Sequence, residues 1–205
     1  MSDFRNPYTL SGAGLFMLSS LFVCYITIKR ISTPSIWVAL YWIIILFTSF
    51  NAVAKSFVNE SRSRMLYYYT LINPAQFILA KMCYHAVLML LLSITGVVIY
   101  STLFQMTIQD PLLFWTGAML GSTGLAFVLS LLSTIAAKAG NNLTLLAILG
   151  LPILLPLILV SSALTKNAID GLDWAVQWKY AFVLLGLNVV CFSLSVILFP
   201  YLWRE

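Results

Sequence analysis

An all-α, polytopic membrane fold with six transmembrane helices is what this sequence predicts, on three observations. Of 205 residues, 61% are hydrophobic and only 8% are charged, against about 45–50% and about 25% in an ordinary soluble domain. The apolar residues fall in long continuous runs rather than in alternation, which argues against a transmembrane β-barrel. Six such runs, each near the roughly 20 residues that a spanning helix needs, consume nearly the whole chain. The same composition argues against a cytosolic enzyme, a disordered chain and a nucleic-acid-binding domain. The net charge of +5 comes without the clustered cations that a phosphate-binding face requires. The chain is expected to be a single transmembrane domain, residues 1–205.

The runs follow in order. The first, about residues 11–28, carries no charge, ends at Lys29-Arg30 and is followed by the turn Thr33-Pro34. It lacks a strongly charged leader and a small-residue cleavage pattern, so it does not read as a signal peptide. The second, 36–54, is also free of charge and ends at Lys55. After the polar interval Lys55–Pro74 comes the third, 76–104, interrupted only by Lys81 and His85 near its start. A polar turn, Gln105–Pro111, leads to the fourth, 112–136. The loop Lys138–Asn142 leads to the fifth, 143–164. A second polar loop, Thr165–Trp178, precedes the sixth, 179–202. With six spans both termini share one side. That side holds Arg5, Lys55, Arg62, Arg64, Lys81, Lys138 and Arg204, against Lys29, Arg30, Lys166 and Lys179 on the other. The richer side is expected to be cytoplasmic.

All six carboxylates, Asp3, Glu60, Asp110, Asp170, Asp173 and Glu205, fall outside the runs. Intramembrane acidic groups mark proton relays and ion sites, and none is available here for acid–base work or for holding a hard metal ion. There is no P-loop, so the chain is not expected to hydrolyse ATP. Cys24, Cys83 and Cys191 form no CxxC pair and read as small apolar packing residues. No catalytic and no metal-binding residue is assigned.

His85 is the lone histidine, four residues after Lys81 and flanked by Met82 and Met89. It reads either as a candidate haem contact or a gate near the cytoplasmic mouth or, by preference, as a histidine hydrogen-bonded across a helix interface. Gly117, Gly121 and Gly124 lie at spacings of four and three in the fourth run. Small residues so placed let another helix approach closely, either inside the bundle or at a seam with another chain. Pro152 and Pro156 lie within the fifth run, where each removes a backbone donor. A kinked or locally broken helix is expected there, static or flexing.

The polar interval Lys55–Pro74 carries Glu60, Arg62 and Arg64, then Met65, Leu66 and three tyrosines before Asn73-Pro74. A short helix lying at the cytoplasmic surface suits this pattern, its tyrosines at the interface and its charges toward the cytoplasm.

The stretch from Trp37 through Asn51 to Phe57, then Glu60-Ser-Arg62 and Leu66-Tyr-Tyr-Tyr-Thr70, resembles the CcmB family, the haem exporter protein B subunits of cytochrome c maturation. Ile78-Leu-Ala-Lys81, Leu120–Phe127, Ala137–Asn142, Leu146–Pro156 and the tail Phe199–Trp203 fit the same pattern. The resemblance runs from about residue 12 to the end and is nearest to the Bacteroidota branch. One departure is the start: such permeases usually open with a basic amphipathic segment, whereas Arg5 is the only cation among the first ten residues here.

The resemblance implies an ABC-2-type permease subunit of the bacterial inner membrane. Its partners would be a separate CcmA-like ATPase, CcmC-like and CcmD-like membrane subunits and the CcmE-like haem chaperone. ATP would be bound by the partner subunit, and haem would be cargo rather than a resident cofactor. The interval between spans two and three would serve as a coupling helix. Glu60, Arg62, Arg64 and Tyr67 are the expected contacts with the ATPase. Closure of two ATPase subunits would push this segment, turning spans two and three while span five flexes at Pro152 and Pro156. The residues leave two alternatives open: an ABC-2 permease for a lipid or drug, and a membrane scaffold that transports nothing.

Overall fold

The computed structural model describes residues 7–28, 33–54, 74–138 and 143–204. Among the described residues the fold is all-helical, with six long helices and no strand. They are α1 (Pro7–Thr27), α2 (Pro34–Ser49), α3 (Pro74–Phe104), α4 (Pro111–Lys138), α5 (Leu143–Asp170) and α6 (Trp174–Arg204). A π-helical turn, Phe50–Ala54, extends α2.

Four of the six helices open on proline. Pro7, Pro34, Pro74 and Pro111 each occupy the first helical position, where the missing N–H has no intrahelical acceptor to lose and the fixed φ suits the helix. These prolines place the starts slightly ahead of the apolar runs, because the helix begins where the backbone allows it rather than where hydrophobicity rises.

The larger difference lies between the fifth and sixth helices. The polar segment Thr165–Trp178, expected as a loop, is mostly helix. Helix α5 runs past Leu164 to Asp170, and α6 begins at Trp174 rather than Lys179. Polar side chains do not end a helix when their donors turn back on it. Thr165 Oγ1 donates to the Ser161 carbonyl at 2.8 Å. The stop is set by Gly171, whose φ of 69° is the left-handed geometry that glycine adopts without a Cβ penalty. The Leu172 N–H then reaches back to the Asn167 carbonyl at 3.2 Å, closing the helix end.

Among the described residues five helices are long and apolar enough to cross a bilayer: Pro34–Val53, Gln76–Phe104, Pro111–Ala136, Ile148–Asp170 and Gln177–Pro200. The apolar part of α1, Ser11–Thr27, is shorter. The whole helix, Pro7–Thr27, is 21 residues without a charge, which at 1.5 Å per residue is near the roughly 30 Å of the hydrocarbon core.

Helix α4 is the centre of the bundle and packs against α3, α5 and α6. Its hydroxyls are satisfied along its own axis: Ser122, Ser130, Ser133 and Thr134 are buried and donate to carbonyls three or four residues back. An aromatic cluster of Trp37, Tyr41, Tyr100 and Phe114 joins α2, α3 and α4. The Tyr100 hydroxyl donates to the Trp37 carbonyl at 2.9 Å, and Tyr41 and Ser93 share a hydrogen bond of 2.9 Å.

Candidate functional site

The residues singled out in the sequence fall into three places. The expected ATPase contacts Glu60, Arg62, Arg64 and Tyr67, and with them the coupling helix, lie outside the described residues. The elements on either side are described. Toward the N-terminal side, α2 passes into the π-helical turn Phe50–Ala54, a single-turn irregularity of the kind often found at functional sites. Ala52 and Val53 are buried, and the turn packs against α1 and α4. Its Asn51 amide donates to the Phe47 carbonyl at 3.3 Å.

On the far side of the interval, α3 carries Lys81 and His85 one helical turn apart on one face. Both are buried. The Lys81 ammonium lies 5.5 Å from the centre of the Phe77 ring, a cation–π distance. His85 Nδ1 is 2.7 Å from Ser130 Oγ on α4. Ser130 has one hydroxyl proton, and the Ala126 carbonyl accepts it at 2.6 Å. The Ser130 oxygen is therefore the acceptor toward the imidazole, which places a proton on Nδ1. His85 thus ties α3 to α4 through a relay that ends on α4's backbone.

The glycines of α4 face α5. A Cβ added at Gly117 would lie 2.9 Å from Thr165 Cγ2, and one at Gly124 would lie 2.6 Å from Leu157 Cδ1. At Gly121 it would overlap the Trp42 indole and meet Ser161 Oγ at 2.7 Å. The three glycines form a stripe against Leu157, Ser161 and Thr165 of α5, and Trp42 of α2 enters the gap at its middle. There the indole N–H donates to Thr165 Oγ1 at 3.0 Å. The α2–α4–α5 junction is thus closed by one aromatic side chain seated over one glycine.

Pro152 and Pro156 lie on the exposed face of α5. The helix continues through both from Leu143 to Asp170. Each proline leaves the carbonyl four residues before it, those of Ile148 and Pro152, without an intrahelical donor.

A corner opposite the termini, unremarked in the sequence, is tied with polar groups. Trp174 Nε1 donates to Asp110 Oδ2 at 2.6 Å, Asp110 N–H to the Ala168 carbonyl at 3.0 Å, and Gln177 Nε2 to the Leu172 carbonyl at 2.6 Å. Asp110 also stands just ahead of Pro111, where a carboxylate caps the exposed N–H groups of α4. Between α4 and α6, Asn188 Nδ2 donates to the Leu120 carbonyl at 3.0 Å. Among the described residues no group of three or more His, Cys, Asp or Glu side chains could hold a metal ion. Cys24, Cys83 and Cys191 are free thiols.

Sequence reasoning also missed a groove of about 520 Å³ between α2 and α5, bounded by Ser35 and Lys166 as well as apolar side chains. Lys166 lies on α5 rather than in the expected loop. The absence of any glycine or proline between Pro156 and Gly171 is the signal that would have kept it on the helix.

No curated protein and no solved structure matches the chain. The family model of the CcmB protein matches residues 15–202, which takes in all six helices but the first turns of α1 and the end of α6. The chain therefore belongs to the CcmB family, the membrane permease subunits of the haem export system in cytochrome c maturation.

Proposed function

We propose that this chain is the permease-like subunit through which a separate ATPase drives haem handling, or release of the haem chaperone, during cytochrome c maturation. The CcmA-like ATPase would dock on the cytoplasmic interval between α2 and α3, at Glu60, Arg62, Arg64 and Tyr67. CcmC-like and CcmD-like membrane subunits would complete the assembly, with the CcmE-like chaperone receiving haem. In this reading all six helices cross the inner membrane, α1 with its shorter apolar segment, and both termini are cytoplasmic. The excess of Lys and Arg on that side supports the orientation.

One observation carries the mechanism. The interval is bracketed by elements that are buried rather than hanging free. Ala52 and Val53 of the π-helical turn sit in the core just before Lys55, and His85 binds the start of α3 to α4. Displacement of the interval would reach α4 from both sides. Such a transition needs two packed arrangements rather than continuous bending. The π-helical turn, which holds one residue more than an α-turn, is the local element suited to changing register.

The Glu60→Ala/Arg62→Ala double variant tests the assignment in the intact complex. It should assemble normally, keep the ATPase subunit's basal turnover, and lose both stimulation of that turnover by the permease and haem delivery to the chaperone. Wild-type haem delivery by the double variant would show that these residues do not couple the subunits.

A further inference from the structure

The inner face of α3 is shared between two cores. Leu88, Met89 and Leu92 belong to the main core. Ile78 and Met82, nearer the start of the helix, instead pack with Phe199 at the end of α6 as a small core of their own, lined by Phe77, Phe127 and Phe192. Phe77 stacks on Phe199 with ring centres 5.9 Å and planes 22° apart, within the range of favourable aromatic pairs. Along both helices buried polar side chains mark the change from one core to the other. On α3 these are Lys81 and His85, and on α6 Ser195, which stands between Cys191 of the main core and Phe199. Pro200 follows Phe199 inside α6. It leaves the Val196 carbonyl without an intrahelical donor, so α6 has a bend point beside the small core.

This division decides what moves with what. Pulling the stacked rings of the small core apart would forfeit close-packed contacts that nothing replaces. The boundary with the main core is easier to shift. Ser195 already donates to the Cys191 carbonyl at 2.7 Å, so it loses no bond when a neighbouring helix slides past. The His85–Ser130 bond is a single interhelical bond of the kind that contributes modestly in membrane bundles. We propose that Phe199 is a positioning residue of the coupling path: the start of α3 and the end of α6 form one body, which takes up displacement of the interval before Pro74 and passes it to α6. The proposal rests on the ATP-coupled reading and extends it to the helix farthest from the interval in sequence.

Two measurements test it, and the first needs no ATPase. In the purified full chain, Phe199→Ala should raise backbone hydrogen exchange several-fold at 77–83 and leave 88–100 at wild-type rates. Leu184→Ala, a truncation on the same helix at a main-core position, should leave 77–83 unchanged. A rise spread evenly along α3, or none at 77–83, would overturn the separate body. In the intact complex, Phe199→Ala should assemble, keep basal ATP turnover and lose haem delivery several-fold. Phe199→Leu should recover most of that delivery, and Leu184→Ala should deliver as wild type. Equal losses in the two alanine variants would reduce Phe199 to a packing residue, and wild-type delivery by Phe199→Ala would remove it from the path. Failure of the ATP-coupled reading looks different: the Glu60→Ala/Arg62→Ala variant then delivers haem normally while exchange at 77–83 still responds to Phe199→Ala, which overturns the coupling role and leaves the small core standing.

Discussion

Helices α4 and α5 are equally long, 28 residues each, and nearly equal in apolar character, yet their surroundings are opposite. In the membrane-spanning window, 72% of α4 is buried inside the bundle against 33% of α5. Hydrophobicity does not sort them, since in a bilayer apolar residues are as stable against lipid as against protein. Small residues sort them. Helix α4 presents Gly117, Gly121 and Gly124 to one neighbour and closes its own hydroxyls onto its backbone, so other helices can approach it from several sides. Helix α5 is two-faced. Leu157, Ser161, Leu164 and Thr165 are buried against α4, while Ile148, Leu151, Pro152, Leu155, Pro156 and Leu159 are exposed.

The largest expected effect comes from filling the α4 stripe where it is tightest. Gly121→Leu would drive a branched side chain into the Trp42 indole and Ser161. Overpacking costs about 1–3 kcal/mol where neighbours can shift. Trp42 is buried and held by its bond to Thr165, so a loss at the upper end, about 3 kcal/mol, is expected. Thermal unfolding of the purified chain in detergent checks it. The same change on the outer face, Gly186→Leu on α6, where an added Cβ meets nothing within 4 Å, should shift the midpoint little. Equal losses at the two positions would refute the contrast between enclosed and outward faces.

A smaller effect is expected at the hydrogen bond that crosses this junction. Thr165→Val keeps the shape of the side chain but leaves the Trp42 N–H buried without its acceptor. Double-mutant cycles in membrane bundles give about 0.6 kcal/mol on average and about 1.7 at most for such bonds. A cycle with Trp42→Phe should give a coupling of about 1 kcal/mol, read from unfolding midpoints. A coupling near zero would leave steric fit alone as what holds α2 to the α4–α5 pair.

How much of this was legible in the sequence differs between fold and site. Helix class and order were, because continuous apolar runs admit few structures in a bilayer. The extent of α5 was not. Thr165, Lys166 and Asn167 are polar and read as a loop, whereas only the backbone geometry at Gly171 ends the helix. The glycine stripe was visible as a spacing, but its partner was not. Nothing local to Gly121 announces Trp42, 79 positions earlier in the chain. In the sequence His85 reads as a haem contact or an interhelical bond, and only Ser130 on α4 supplies the geometry of the latter. The α2–α5 groove was illegible for the same reason: its walls come from helices that the sequence cannot place side by side. The charged interval Lys55–Pro74 is the converse case, conspicuous in the sequence for its composition while Glu60 and Arg62 lie outside the described residues.

The smallest stability effect, and the sharpest division between packing and motion, is expected on the outer face of α5. Pro152 and Pro156 are exposed, so replacing both with Ala removes little buried contact. It restores two backbone donors, to the carbonyls of Ile148 and Pro152, in a medium where water cannot satisfy them. In a soluble helix interior proline costs about 3 kcal/mol relative to alanine, but a bundle that has grown around two prolines has already adapted to their shape. The Pro152→Ala/Pro156→Ala variant should therefore unfold at or slightly above the wild-type midpoint. If α5 flexes during the proposed ATP-driven cycle, straightening it should slow haem delivery several-fold in the reconstituted complex while assembly is unchanged. Unchanged delivery with unchanged stability would make the prolines a fixed feature of α5's outer shape. The inner face, with its glycine contacts and the Trp42 bond, would then carry whatever movement reaches α5 from the interval between α2 and α3.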